Sequence, residues 1–289
     1  MSIGQGTESP NQAAHDYLAE GRTVGFFTDP TVCIGCKACE VACKEWNMVP
    51  DDGYAWSGHS YDNSGDLGAS TWRHVKFLEQ DLAAGNQVAG PMTVEPGGEE
   101  PFRWLFVSDV CKHCEEAGCL EACPTGSIIR TDNGAVFVQD DVCNGCGACV
   151  VGCPFGVIDR RPTPLPGAGG AFKCTFCYDR QAVGLTPACA KACPTESIQF
   201  GPLDELKERA AVRVHELRQS GFEDARLYDA ADTSVRGVHA FFLLLGDPGA
   251  YGLPPRPEVP TVHLGPAWAS ALTTAVMAML IAVVAFALW

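Results

Sequence analysis

Sixteen cysteines dominate this sequence, and they fall into four groups of four with none left over. The first group reads CIGCKACEVAC and the third reads CNGCGACVVGC, so both leave two, two and three residues between successive thiols. The second group, CKHCEEAGCLEAC, widens its middle gap to four residues, and the fourth group places eleven residues there. This repeated spacing constrains the fold strongly, because each group must form a loop that brings its thiols together.

Three thiolates a few residues apart can bind three corners of an iron–sulfur cube, while a fourth, three residues further on, reaches a different cube. This is the arrangement of bacterial two-cluster ferredoxins, so the groups are expected to work in pairs. Gly35, Gly145 and Gly147 are expected to let the loop backbone approach the clusters closely. The candidate ligands are Cys33, Cys36, Cys39, Cys43, Cys111, Cys114, Cys119, Cys123, Cys143, Cys146, Cys149, Cys153, Cys174, Cys177, Cys189 and Cys193.

Two other uses of cysteine fit the pattern less well. A structural zinc ion takes four tetrahedral ligands, usually from two C-x2-C pairs, and leaves the third and fourth cysteines of each group unexplained. A disulfide framework requires thiols that face each other in an oxidising compartment, whereas these cysteines are neighbours on one loop and no secretory signal is recognisable. The sequence therefore predicts four [4Fe–4S] clusters and leaves no cysteine for nucleophilic catalysis.

Charge and motif content exclude other classes of function. Acidic residues outnumber basic ones by 35 to 20, and a net charge of −15 has the wrong sign for binding nucleic acid. Neither a G-x-G-x-x-G loop nor a P-loop is present. We therefore expect no catalytic site in this protein.

Short apolar runs indicate an α+β fold around the cysteine loops. Runs at 23–27 and 197–200 are expected to be strands that enter the first group and leave the fourth. Runs at 127–129 and 135–138 flank Asp132-Asn133-Gly134, whose composition predicts a hairpin turn. The second group then pairs with the third and the first with the fourth, which predicts two interleaved bacterial-ferredoxin-like modules, each with two [4Fe–4S] clusters, over residues 23–202.

Two segments within this core and two segments outside it have their own character. Residues 1–22 are expected to be a polar tail, and residues 44–110 an insertion that covers the core or faces a partner. Residues 161–171, rich in proline and glycine, are expected to form an exposed irregular connection. The extension at 203–263 contains a predicted amphipathic helix, at 202–220, whose apolar stripe packs on the core. That stripe is formed by Leu203, Leu206, Ala210, Val214 and Leu217.

The C-terminal segment predicts attachment to a membrane. Residues 268–289 carry no charge over 22 residues, which is long enough to span a bilayer. Residues 264–289 are therefore expected to be a single transmembrane anchor helix. Its orientation is open, because no Lys or Arg follows it.

Beyond the cysteine motifs, the sequence closely resembles the iron–sulfur (β) subunit of membrane-bound respiratory molybdopterin formate dehydrogenases, from about residue 30 to the C-terminus. Cysteine motifs alone fit many four-cluster subunits. The blocks between them favour formate dehydrogenase, and they include Tyr61-Asp62-Asn63, Ser70-Thr71-Trp72 and Tyr251-Gly252-Leu253-Pro254.

The resemblance implies a specific set of ligands for each cluster. Three thiols of one group and the last thiol of its paired group would hold each cluster. Site A comprises Cys33, Cys36, Cys39 and Cys193, and site B comprises Cys174, Cys177, Cys189 and Cys43. Site C comprises Cys111, Cys114, Cys119 and Cys153, and site D comprises Cys143, Cys146, Cys149 and Cys123. All sixteen positions are cysteine, which implies four [4Fe–4S] clusters.

The resemblance also implies partners and a function. The chain would carry electrons from a molybdopterin catalytic subunit, containing Mo or W, to a membrane cytochrome b subunit with a quinone site. Its soluble part would lie on the side of the catalytic subunit, outside the cytoplasm if that partner carries the export signal.

Other functions remain open at this stage. The chain could instead serve a sulfoxide, polysulfide or tetrathionate reductase or a membrane hydrogenase, or belong to another class as a membrane-anchored redox sensor or zinc scaffold. His113 is most simply a surface histidine. The alternative is that it tunes one cluster or lies near an electron exit.

Overall fold

The computed structural model describes residues 11, 17, 20–53, 56–58, 62–81, 86–87, 102–162 and 169–288. Most of the predicted 1–22 tail, Tyr61 and residues 163–168 of the predicted irregular connection lie outside the described residues. The strands are β1 (Val24–Thr28), β2 (Arg73–Asp81), β3 (Asn86–Gln87), β4 (Phe102–Val110), β5 (Ile128–Arg130), β6 (Val136–Val138), β7 (Asp159–Pro162), β8 (Gly169–Phe172), β9 (Ile198–Pro202), β10 (Ala225–Tyr228) and β11 (Ala240–Leu245). The α-helices are α1 (Ala38–Trp46), α2 (Gly118–Glu121), α3 (Ala148–Gly152), α4 (Tyr178–Gln181), α5 (Ala188–Lys191), α6 (Leu203–Gln219) and α7 (Leu264–Ala287).

The main sheet brings the first and fourth cysteine groups together. Its strand order is β10-β11-β1-β9, and β1 pairs antiparallel with β9 from Val24↔Pro202 to Thr28↔Ile198. Because β1 leads into the first group and β9 follows the fourth, both groups lie at the same end of this strand pair. The two strands predicted at 23–27 and 197–200 are thus confirmed, each shifted by one or two residues.

Strand β1 separates two hydrophobic cores. Successive side chains of a strand point to opposite faces, so Phe26 packs among the cysteine loops while Phe27 packs on the other side. The Phe27 side is covered by α6, whose buried residues are Leu206, Ala210, Val214 and Leu217. The predicted amphipathic helix is confirmed, with Leu203 half-buried at its first position.

The second and third cysteine groups are joined by the predicted hairpin. Strands β5 and β6 pair antiparallel, and Gly134 takes a left-handed φ of 91° in the turn. Helix α2 packs against α3 at a point where both carry glycine. A Cβ on Gly118 would lie 2.3 Å from the Gly152 carbonyl oxygen, so the backbones meet only because no side chain intervenes. Helix α1 packs against α5 in the other pair of groups.

The structure gives the insertion a regular fold that the sequence did not predict, and it corrects the prediction for one other segment. The insertion forms a three-stranded sheet of order β3-β2-β4, in which β2 and β4 pair over nine residues from Arg73↔Val110 to Asp81↔Phe102. The prediction of an irregular connection at 161–171 was wrong at both ends, because β7 and β8 pair from Asp159↔Phe172 to Pro162↔Gly169. Backbone hydrogen bonds between these strands outweigh the local preference of proline and glycine for loops, since Pro162 occupies the last position of its strand.

Helix α7 leaves the rest of the chain. Within the described part of the protein, the segment Pro260–Ala287, which is a short 3₁₀ turn followed by α7, is the one helical segment long and apolar enough to cross a membrane. None of its residues is buried against the protein. The helix begins at Leu264, the first residue of the predicted anchor, and tolerates Pro266 because this residue lies in its first turn, where a missing backbone N–H breaks no helical hydrogen bond.

Candidate metal centres

All four cysteine loops share one backbone turn. The residue before the second cysteine has a left-handed φ in every group: 67° at Gly35, 46° at His113, 69° at Gly145 and 63° at Phe176. Bulky residues rarely adopt this conformation. His113 and Phe176 hold it while packed together, with ring centroids 4.3 Å apart. Sequence reasoning found the turn only where glycine marks it.

The predicted glycines fit the loops to the surrounding protein. Gly35, Gly145 and Gly147 all have positive φ. A Cβ on Gly145 would lie 2.0 Å from the carbonyl oxygen of Gly169 in β8, and one on Gly35 would lie 3.0 Å from the Phe106 ring of the insertion. Any side chain at Gly145 would therefore push the loop away from β8.

Four thiols from the first and fourth groups surround one hollow. Cys33, Cys36, Cys39 and Cys193 line about 290 Å³ of empty space, part of it open to solvent. Burial raises the pKa of Cys33, and the neighbouring charges of Cys193 and Cys36 raise it further. The structure therefore brings together the four residues of site A.

The remaining thiols of these two groups also lie together. Burial raises the pKa of Cys43 well above its usual value, and the charges of Cys174, Cys189 and Cys177 add to the rise. Burial likewise raises the pKa of Cys177, with further contributions from Cys189 and Cys174. These four residues are those of site B.

The second and third groups repeat the arrangement. Cys111, Cys114, Cys119 and Cys153 line a second hollow with about 320 Å³ of empty space, part of it open to solvent. Burial raises the pKa of Cys149 to about 11, and the charges of Cys143, Cys123 and Cys146 contribute to the rise. The thiols of each implied set thus lie near one another, and their assignment as ligands of four separate clusters stays a prediction.

The arrangement of the thiols suits a cluster that is several atoms wide. All sixteen cysteines are described and none forms a disulfide. Within the described ranges, no three His, Cys, Asp or Glu side chains converge on one ion position, as a tetrahedral zinc site requires. Thiols that line a hollow suit a cluster several atoms wide.

Hydrogen-bond donors reach several of the sulfurs. The backbone N–H of Phe176 donates to Cys174 Sγ at 3.3 Å, and that of Ala171 donates to Cys143 Sγ at 3.4 Å. The Ser108 hydroxyl lies 3.2 Å from Cys39 Sγ. Donors of this kind stabilise the thiolate form, which is the form that binds iron.

Cys123 shows the effect of such donors most clearly. Its burial acts to raise the pKa, but hydrogen bonds from the side chains of Ser127 and Thr125 and from nearby backbone N–H groups lower it to about 6. The Ser127 hydroxyl lies 3.2 Å from Cys123 Sγ. These donors therefore favour the thiolate form of Cys123, which is the form that binds iron.

Two fully buried cations also contact the sulfurs, and sequence reasoning missed both. Arg73 Nη2 lies 3.1 Å from Cys189 Sγ, and Lys173 Nζ lies 3.3 Å from Cys111 Sγ. Burial acts to lower the pKa of each cation, but the neighbouring thiolates raise it above its ordinary value. Both side chains therefore stay charged inside the protein.

The interpretation of His113 as a surface histidine was wrong. The residue is 1% exposed and lines the hollow of site C. Its Nδ1 accepts a hydrogen bond from the Val136 N–H at 3.0 Å, so the proton of the neutral ring is on Nε2. Burial, with the charge of Lys173 nearby, lowers the pKa of His113 well below its usual value.

Comparison with known proteins agrees with this geometry. Two family models, each described as a 4Fe-4S dicluster domain, match residues 32–127 and 102–203, a span that includes every cysteine. The formate dehydrogenase-O iron–sulfur subunit of Escherichia coli K12 is 40% identical over 258 residues, covering 87% of this chain and 76% of that protein. The formate dehydrogenase iron–sulfur subunit of Haemophilus influenzae is 39% identical over 255 residues, covering 87% of this chain and 74% of that protein.

A more distant relative comes from another oxidoreductase. The B subunit of the anaerobic dimethyl sulfoxide reductase of Escherichia coli K12 is 33% identical over 190 residues, covering 64% of this chain and 76% of that protein. The formate dehydrogenase subunits match both more closely and over more of the sequence. This protein belongs to the family of formate dehydrogenase iron–sulfur subunits, which are non-catalytic electron-transfer subunits with [4Fe–4S] clusters.

Proposed function

We propose that this chain conducts electrons through sites A, B, C and D, in that order, from a molybdopterin formate dehydrogenase subunit to a cytochrome b subunit with a quinone site in the membrane. The observation that carries the proposal is the grouping of sixteen thiols into four sets of four. Bound [4Fe–4S] clusters supply one-electron transfer, while the chain holds them in place, excludes water and fixes their electrostatic surroundings.

Electrostatic interactions between thiols of different sets support the order of the sites. Cys39 of site A interacts electrostatically with Cys189 of site B, and Cys174 of site B with Cys111 of site C. Cys119 of site C interacts in the same way with Cys149, of site D. A single row of sites explains these neighbours, and it is what two interleaved two-cluster modules would produce.

The solvent exposure of the thiols supports entry and exit of electrons at the two ends of this row. Cys36 of site A and Cys146 of site D are exposed, whereas the thiols of sites B and C are buried or half-buried. Electrons can therefore reach the surface most directly at sites A and D.

The anchor favours exit at the end with sites C and D. The turn before α7 lies against α2, where Thr261 donates a hydrogen bond to Glu121 and Pro260 lies beside Gly118. Helix α2 carries Cys119 of site C. We infer that α7 crosses the membrane with sites C and D next to it and that site A faces the catalytic subunit. The catalytic subunit then lies on the same side of the membrane as the soluble part of this chain.

The domain division is part of the proposal: a tail at 1–22, a four-cluster core at 23–202, an extension at 203–263 and an anchor at 264–289. Strands β10 and β11 of the extension lie in the same sheet as β1 and β9, so the extension is packed directly on the four-cluster core.

The test is anaerobic reduction of the purified complex followed by stopped-flow absorbance. Formate should reduce the clusters within one turnover, and a quinone analogue should reoxidise them, because linked cofactors equilibrate with the donor and acceptor at the ends of the row. A complex that ignores formate but is oxidised by a sulfoxide or thiosulfate would assign the protein to another reductase. Slow response to all of these would indicate a sensor, and stoichiometric zinc with little iron would indicate a scaffold.

A further inference from the structure

Arg73 is buried where sites A and B meet. It lies on β2, in the insertion, and is 2% exposed. Besides its contact with Cys189 of site B, it donates a hydrogen bond to the Ser108 carbonyl at 3.2 Å and interacts electrostatically with Cys39 of site A. The guanidinium therefore faces the ligands of two clusters at once.

Lys173 occupies the equivalent position between sites B and C. It is also 2% exposed and directly precedes Cys174 of site B. Its Nζ lies 3.3 Å from Cys111 Sγ of site C and donates a hydrogen bond to the Cys174 carbonyl at 3.1 Å. A second carbonyl, that of Val136, also accepts from it.

Neither cation has a carboxylate partner among the described residues. A charge buried without a counter-charge is strongly unfavourable. Lys112 shows the usual solution, because it is equally buried and pairs with Asp109. The counter-charge of Arg73 and Lys173 must come from the thiolates and the clusters they bind.

We propose that Arg73 and Lys173 are fixed cations that raise the reduction potentials of the clusters on either side, with site B, which both cations contact, raised most. The inference rests on the proposed function, since it requires clusters in these sites. Reduction adds one electron, and thus one negative charge, to a cluster; that electron arrives from the neighbouring cluster and leaves to the next. A cation held a few ångströms away favours the form with the extra negative charge, and the low dielectric of the interior strengthens the effect.

The test is to remove each charge by mutation and to measure the reduction potentials of the clusters. The full membrane complex is titrated against a redox potential scale, and each cluster is monitored by electron paramagnetic resonance. Arg73→Met should lower the potentials at sites A and B, and Lys173→Met those at sites B and C. Each reduction equilibrium constant should fall at least tenfold, which is about 59 mV for one electron. Potentials at site D should stay unchanged in both variants.

Three matched variants control for packing and distance. Arg73→Lys and Lys173→Arg keep the charge, so each should shift the reduction potentials by less than about 59 mV. Arg160→Met removes a cation that bonds the Gly145 carbonyl in the loop of site D at 2.8 Å but is exposed to solvent. Water and salt screen an exposed charge, so this shift should be smaller than that of either buried variant.

Unchanged potentials in both Met variants at full iron content would overturn the proposal. An equal shift at all four sites would also overturn it, because that pattern indicates a general loosening of the protein. If a Met variant loses iron, Arg73→Gln and Lys173→Gln repeat the measurement with a hydrogen-bond donor retained. The titration uses chemical mediators, so a complex that ignores formate would refute the proposed function and leave this test intact.

Discussion

Cross-ligation gives the sharpest prediction, because two cysteines on the same short segment should serve different clusters. Cys189 lies on α5, and Cys193 follows the end of that helix by two residues. Cys193 lines the hollow of site A together with Cys33, Cys36 and Cys39. Cys189 instead contacts Arg73 and is a neighbour of Cys43 and Cys177 of site B. Replacement of each by serine should therefore damage a different centre.

The expected size of the effect follows from the grouping. Four sets of four thiols predict about sixteen iron atoms per chain, so Cys193→Ser and Cys189→Ser should each lose about four, or leave one cluster with an altered spectrum if the serine oxygen binds. The other three sites should keep their iron, because their thiols are untouched. Iron and acid-labile sulfide are counted after anaerobic purification, and each cluster is followed by electron paramagnetic resonance.

Two further variants identify which cluster is lost. Cys36→Ser removes another ligand of site A, and Cys177→Ser another ligand of site B. The spectrum lost in Cys193→Ser should match the one lost in Cys36→Ser, and that of Cys189→Ser should match Cys177→Ser. If Cys193→Ser and Cys189→Ser lost the same centre, the first and fourth groups would each hold their own cluster, and the pairing would be wrong.

Three other predictions test the route of the electrons, the membrane anchor and the contact between α2 and α3. Cys149→Ser should abolish quinone reduction by formate while dye reduction by the catalytic subunit persists; normal quinone reduction after proven loss of that cluster would mean another route. Deletion of residues 264–289 should release this protein, expressed without a membrane partner, from membranes with its iron intact, and a full-length chain soluble without detergent would contradict a spanning helix. Gly118→Ala should destabilise the protein by about 1–3 kcal/mol, since its Cβ would lie 2.3 Å from the Gly152 carbonyl oxygen, whereas Gly68→Ala, with no contact closer than 3.9 Å, should leave thermal unfolding unchanged.

Some details of the cysteine loops could be anticipated only in part. The glycine turns at Gly35 and Gly145 are visible in the sequence, because glycine is the residue that tolerates a left-handed φ. The same turn at His113 and Phe176 carries no local signal, since its strain is compensated by the packing of one ring on the other. The sequence around His113 also carries no signal of its burial, so the residue was interpreted as a surface histidine although the structure buries it.

The sequence by itself determined the chemistry of this protein. Cysteine spacing specifies which thiols share a loop. The Asp132-Asn133-Gly134 turn predicts the hairpin, an apolar stripe at helical spacing predicts α6, and the absence of charge predicts α7; all of these depend on neighbours within a few residues. Only the tertiary structure decided what meets across long separations. The pairing of β1 with β9 joins the first and fourth groups, which are separated by 130 residues between Cys43 and Cys174, and the nine-residue ladder of β2 with β4 carries Arg73 into the interior. In the sequence, Arg73 looks like an ordinary charged strand residue, because burial is a property of packing that no local pattern records.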